Sequence, residues 1–212
     1  MKEFFENGQT VLFQGDSVTD CLRDRSDDTS LGCGYPNKIS EIYHSLFPLN
    51  NVTFLNKGVS GNRSTDLLER YDADFKAIQP DFISILIGIN DCWRRYDAND
   101  PTSCEQFEKN YRTLLEKIKA DIPHAKIMLI EPYVLPSVPG REEWHEDLDP
   151  KINVVHTLAR EYADYFLPLN GIMNAASVCR YTCKELTEDG VHPSQVGHAV
   201  IADAYFKTLG IL

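Results

Sequence analysis

Phe82-Ile83-Ser84-Ile85-Leu86-Ile87, followed at once by Gly88-Ile89-Asn90-Asp91, decides the fold. The run is apolar except for one serine and does not alternate with polar residues. Both of its faces must therefore be covered, as in a parallel sheet flanked by helices. Four similar runs lie outward from it: Val11-Leu12-Phe13, Val52-Thr53-Phe54-Leu55, Lys126-Ile127-Met128-Leu129-Ile130 and the stretch from Tyr165 to Leu169. Helix-period segments fall between them. Ser103 and Gln106 stand at capping-box spacing ahead of Phe107, Tyr111, Leu114, Leu115 and Ile118 on one stripe, which predicts a helix over 103–121. Asp149-Pro150 predicts an N-cap with proline at the first helical position, then Ile152, Val155, Ala159 and Tyr162 on one face. Ser194 is expected to cap a last helix carrying Ala199, Ala202, Phe206 and Leu209 along one face and stopped by Gly210. The reading is a single α/β domain over residues 1–212 with a largely parallel five-stranded sheet.

Composition narrows the function. The 212 residues carry a formal charge of −11, with 42% hydrophobic and 25% charged side chains, which is the profile of a soluble globular protein. That charge argues against a nucleic-acid partner, and no apolar run is long enough for a membrane span. Met-Lys-Glu-Phe-Phe-Glu-Asn-Gly at the start lacks the apolar core of a signal peptide, so a cytoplasmic protein is expected. The six cysteines form no C-x-x-C pair and read as free thiols. Cys179 and Cys183 are spaced to share one helical face, but without a nearby histidine they carry no metal expectation.

In open parallel sheets, ligands bind beyond the carboxyl ends of the strands. Those positions here read Gly15-Asp16-Ser17, then Gly58-Val59-Ser60-Gly61-Asn62, then Gly88-Ile89-Asn90-Asp91. A serine needs a base to become a nucleophile. Asp189-Gly190-Val191-His192-Pro193 supplies one, because a carboxylate three residues ahead of an imidazole can fix its tautomer and stabilise the imidazolium. Asp121-x-x-His124 and Glu142-x-x-His145 share the spacing. The first leads into a strand at the wrong sheet edge, and the second lies in an acidic surface loop. Gly61 N–H, the Asn90 amide and Ser17's own N–H are candidate donors to an oxyanion. Each residue alone has an ordinary reading as a turn or a cap. The set is what points to acyl transfer.

The four segments Gly15-Asp16-Ser17, Gly58-x-x-Gly61-Asn62, Gly88-x-Asn90-Asp91 and Asp189-x-x-His192-Pro193 resemble the four sequence blocks of the SGNH (GDSL) hydrolases. The resemblance runs from about residue 10 to the C-terminus. It implies a three-layer α/β/α sandwich, flavodoxin-like, with Ser17 as nucleophile, Asp189 and His192 completing the triad, and Gly61 and Asn90 completing the oxyanion hole. No metal or organic cofactor is implied. Gly88-Ile-Asn-Asp-Cys-Trp-Arg94 is similar to the branch of cytoplasmic carbohydrate acetylesterases, among them acetylxylan esterases. This implies a small acetylated sugar as substrate, and members of that branch can be oligomeric, so a homo-oligomer is compatible with it.

Two further features concern the substrate. Trp93 either walls the site and stacks on a sugar ring or packs in the core. Residues 132–149 form the longest stretch without periodicity, expected as a loop at a strand's carboxyl end, and its acidic run Glu142, Glu143, Glu146, Asp147 and Asp149 as a solvated surface. The competing readings are a thioesterase or lysophospholipase using the same triad, a non-catalytic sugar-binding module, and a flavin carrier. The last is disfavoured by two carboxylates in Gly15-Asp-Ser-Val-Thr-Asp20, where a phosphate would sit.

Overall fold

Strands β1 (Thr10–Gly15), β2 (Thr53–Asn56), β3 (Phe82–Leu86), β4 (Lys126–Ile130) and β5 (Tyr165–Leu167) form one all-parallel sheet in the order β2-β1-β3-β4-β5. The structure, a computed structural model, describes residues 3–212. Helices α1 (Ser17–Asp20), α2 (Tyr35–Leu46), α3 (Ser64–Glu69), α4 (Ile89–Asp97), α5 (Cys104–Asp121), α6 (His145–Tyr162), α7 (Leu169–Cys179), α8 (Cys183–Leu186) and α9 (Gln195–Thr208) connect and cover it. Val11, Phe13, Phe82 and Met128 pack on one face with Tyr35 and Ile39 of α2, Met173 of α7 and Tyr205 of α9. Leu12, Ile83, Ile85 and Leu129 pack on the other with Leu67 of α3, Tyr111 and Leu114 of α5 and Val155 of α6. This is the expected α/β/α sandwich.

Because both faces are apolar, hydrophobicity alone cannot choose the strand register. Two buried polar side chains help to set it. Ser84 pairs with Phe13 across the sheet, and its hydroxyl meets Tyr205 Oη at 2.9 Å. Gln14 pairs with Ile85 and donates to the Asp74 carbonyl at 3.0 Å. A slip by one residue would leave both groups buried without partners, at roughly 1–3 kcal/mol each. In the observed register Gly15 lies opposite Leu86 and Leu86 opposite Ile130, so these strands end together.

The structure corrects several local expectations. Helix α6 starts at His145, straight out of a 3₁₀ turn over Glu142–Trp144, and Pro150 lies inside it. The proline removes one helical N–H donor. Burial of Trp144, Leu148 and Lys151 holds the turns on either side, so packing overrides the proline signal. The second half of the 132–149 loop is therefore helical. Its acidic run is not uniformly solvated either: Asp147 pairs at 2.6 Å with Lys151, whose side chain is fully buried. Ser103 does cap α5, but the Gln106 side chain turns to Asn110 instead of closing the box. In α9 Ala199 is exposed, and the buried side instead includes His198, Ile201, Ala202 and Tyr205. Cys179 ends α7 and Cys183 begins α8, so they share no helical face. Strand β5 stops at Leu167, and Leu169 already opens α7.

Candidate active site

The chain leaves β1 for β2 on one side and returns to β3 on the other, so the sheet's switch point lies between β1 and β3. Ser17 follows the end of β1 and Asn90 follows the end of β3, which places them on the two sides of that crevice. Gly15 can only be a glycine. A Cβ there would meet the Leu86 carbonyl and Thr19 Oγ1, each at 2.4 Å. The close passage turns the chain sharply into α1, where Asp16 caps the turn by accepting the Val18 N–H at 3.0 Å. Ser17 is left part-exposed at the first helical position.

From the far end of the chain, the turn before α9 brings His192 to Ser17. Ser17 Oγ lies 2.8 Å from His192 Nε2, and His192 Nδ1 lies 2.7 Å from Asp189 Oδ2. The other Asp189 oxygen accepts the backbone N–H groups of Val191 at 2.9 Å and His192 at 2.8 Å. The carboxylate thus shapes its own turn while facing Nδ1, which favours the tautomer with its proton there and leaves Nε2 towards Ser17 Oγ.

The two remaining predicted residues line the same cleft of about 360 Å³ as Ser17 and His192. Among the described residues, the backbone N–H groups of Ser17 and Gly61 have no hydrogen-bond acceptor. The Asn90 amide spends one N–H on the Asn62 carbonyl at 3.0 Å and keeps the other. Three polar groups hold this rim. Asp91 accepts the Ser64 N–H at 3.0 Å and the Ser64 hydroxyl at 2.7 Å. Asp20 accepts the N–H and hydroxyl of Ser60 at 2.9 and 2.8 Å and pairs with Arg25. Arg70 donates to the carbonyls of Gly15 and Lys57 and to the Asn62 side chain, joining the ends of β1 and β2 to the Gly61 loop.

The electrostatics suit proton transfer. The hydrogen bond to Asp189 raises the His192 imidazole above its ordinary value, against the opposing effect of burial. Burial alone would raise the Asp189 carboxyl. The hydrogen bonds from the His192 ring and from the His192 and Val191 N–H groups outweigh it and hold the carboxyl well below its usual range. Asp16 goes the other way. Burial pushes it up to about 7, resisted by the Val18 N–H and the charge of His192.

Trp93 is half-buried on the cleft wall, 5.7 Å from the His192 ring between centroids and edge-on to Trp144 at 5.2 Å. It therefore packs against the core and also lines the cleft. Reading the sequence missed His198, which α9 brings to the cleft with Nδ1 accepting the Tyr35 N–H at 3.1 Å and Nε2 3.2 Å from Cys21 Sγ. Burial pushes the His198 ring down to about 4 and the Cys21 thiol up to about 12, so both stay neutral. Neither has a local sequence signal. Among the described residues no group of three or more His, Cys, Asp or Glu side chains is arranged to hold a metal ion.

Comparison with known proteins places the chain in a family. The profile of the GDSL-like Lipase/Acylhydrolase family matches residues 13–200. The chain is 33% identical to an acetylxylan esterase of Geobacillus stearothermophilus, over 96% of this chain and 95% of that protein. It is 26% identical to thioesterase 1/protease 1/lysophospholipase L1 of Escherichia coli, over 94% of this chain and 83% of that one. The crystal structure of Axe2, an acetylxylan esterase from Geobacillus stearothermophilus, superposes with a TM-score of 0.86 at 31% identity, covering 97% of this chain and 95% of that one. The protein is a carboxylic ester hydrolase and belongs to the GDSL-like lipase/acylhydrolase family.

Proposed function

We propose that the protein is a serine esterase that removes short acyl groups, acetyl above all, from hydroxylated substrates such as acetylated xylo-oligosaccharides. The observation that carries this is the relay Ser17 Oγ–His192 Nε2–Asp189, at 2.8 and 2.7 Å, opening into the cleft that Gly61 and Asn90 line. In this reading His192 takes the Ser17 proton as Ser17 Oγ attacks the ester carbonyl. The oxyanion rests on the N–H groups of Ser17 and Gly61 and on the free N–H of Asn90. The imidazolium then protonates the leaving alcohol, and water attacks the acyl-enzyme with His192 as base. The similarity to an acetylxylan esterase supports the acetyl-sugar substrate. The Trp93 edge of the cleft gives a sugar an apolar wall. Six cysteines without a C-x-x-C pair suit a reducing, cytoplasmic setting.

The similarity to the E. coli thioesterase/lysophospholipase favours a second reading, hydrolysis of longer acyl chains by the same residues. Rates on p-nitrophenyl esters from acetate to octanoate decide between them, with Ser17→Ala as control. Activity confined to the shortest acyl groups and lost in Ser17→Ala supports the first reading, and acetylated xylo-oligosaccharides are then the substrate to test. A preference for octanoate transfers the assignment to the second. Parent-like activity in Ser17→Ala removes Ser17 as nucleophile.

A further inference from the structure

Three successive carbonyls of the Asp189-Gly190-Val191 turn are each held by the segment that follows β4. Tyr133 Oη donates to the Val191 carbonyl at 2.7 Å, the Leu135 N–H to the Gly190 carbonyl at 2.8 Å, and Arg141 Nε to the Asp189 carbonyl at 2.6 Å. Tyr133 and Leu135 are buried, so the first two of these bonds are shielded from water. Gly190 has φ +92 and lies so close to this strap, residues 133–141, that a Cβ would meet the Leu135 carbonyl at 2.5 Å and Arg141 Cγ at 3.0 Å. The turn cannot shift without breaking this set.

Arg141 is unusual within it. Its guanidinium is 3.9 Å from the centre of the Trp144 ring and 4.9 Å from that of Trp93. A guanidinium lying over two indole rings is restrained by cation–π attraction to both before it makes a hydrogen bond. No ion pair with a carboxylate is formed by Arg141 among the described residues, so its charge is not cancelled by a direct partner.

We propose that Arg141 is a positioning residue for hydrolysis: clamped by Trp93 and Trp144, it fixes the backbone of Asp189 and so aims the His192 ring at Ser17. The inference rests on the triad reading given above. Trp93 then has a defined job. It lies against the Arg141 guanidinium and is also a neighbour of His192, so the cleft wall and the base are aligned by the same contacts. Misaiming a general base by a fraction of an ångström costs rate without costing substrate binding, which is the kinetic signature of such a residue.

The charges facing His192 are the carboxylates of Asp189 on its own turn and of Asp16 at the end of β1, and the Arg141 guanidinium from the strap. The neutral His198 faces it from α9. The two carboxylates favour the imidazolium and Arg141 opposes it.

The test is kcat and KM for p-nitrophenyl acetate across pH in Arg141→Gln and Arg141→Lys, with Ser17→Ala and thermal melting alongside. Arg141→Gln is expected to lower kcat about 10- to 100-fold with KM nearly unchanged, and to move the acidic limb to higher pH because an opposing charge is gone. Arg141→Lys keeps the charge and loses the planar guanidinium with its Nε donor to the Asp189 carbonyl, so kcat should fall with the limb unmoved. Parent kcat and an unmoved limb in Arg141→Gln, with Ser17→Ala inactive, overturn this inference alone. A lower melting temperature with neither kcat nor limb altered also overturns it, since that is a purely structural role. If Arg141→Gln does not fold, parent kcat in Arg141→Lys is the overturning result. Activity retained in Ser17→Ala instead sinks the triad reading beneath it.

Discussion

Asp91 Oδ1 accepts the Ser64 hydroxyl at 2.7 Å, and this bond ties the helix that presents Asn90 to the loop that presents Gly61. Ser64 Oγ also accepts from Asn110 at 3.1 Å, so the tie is anchored in α5. Replacing Ser64 by Ala leaves a buried carboxylate oxygen and a buried amide short of a partner. We expect a loss of about 1–3 kcal/mol in unfolding free energy, together with a lower kcat as the two donors lose their common frame. Denaturant midpoints and initial rates on p-nitrophenyl acetate check both. An unchanged kcat would mean the two rims are held independently.

Asn90→Ala isolates one donor. Asn62, whose carbonyl it also holds, is part-exposed, so that carbonyl can be rehydrated and the fold should survive. By analogy with other single oxyanion donors, kcat should fall about 10²- to 10³-fold with little change in KM. A fall confined to KM would assign the amide to binding the ground-state ester.

The pH profile has a definite direction. In the proposed mechanism only neutral His192 accepts the Ser17 proton, and the hydrogen bond to Asp189 raises its pKa above the ordinary 6.5. The acidic limb of kcat/KM should therefore have its inflection above 6.5, with activity lost as pH falls through it. Asp189, held well below the usual carboxylate range, contributes no inflection there. An inflection below the ordinary histidine value would contradict the Asp189–His192 coupling.

Asp16 couples pH to stability. Its carboxyl rises from 3.8 to about 7 on folding, so the folded protein holds that proton more tightly than the unfolded chain does. The sign is fixed by linkage: stability present below the unfolded value is lost as pH climbs towards about 7. Asp16→Asn keeps a capping oxygen and has no proton to lose. Across that window its stability relative to the parent should rise, by an amount on the order of a few kcal/mol. Urea melts at about pH 4 and about pH 8 test this linkage. A constant difference between the two proteins would refute it. The same substitution removes a charge that favours imidazolium, so the acidic limb should move to lower pH, opposite to Arg141→Gln.

The parts visible in the sequence are those with a local signature. Phe82 to Ile87 announced a strand covered on both faces, and Ser17, Asn90 and His192 stood out as reactive types at strand ends or before a helix. What stayed hidden depends on partners far apart in the chain. Arg141 reads as one more surface arginine until Trp93, Trp144 and Asp189 are seen around it. His198 lies among small and apolar residues in α9 with nothing nearby to mark it as a cleft residue. Asp149-Pro150 misled because the signal is real but weak: a proline in a helix costs one hydrogen bond and some strain, and the burial of Leu148 and Lys151 outweighed it.

Ser17 and His192 lie 175 positions apart in the chain and 2.8 Å apart in space. A ribosome therefore delivers the hydroxyl long before its base, and every parallel strand pair must close across a helical crossover before the two can meet. In the proposed mechanism a half-made copy carries an inert serine. Recovered hydrolysis during refolding should trail the return of helical signal, because it reports the last long-range docking event and not the first local ones.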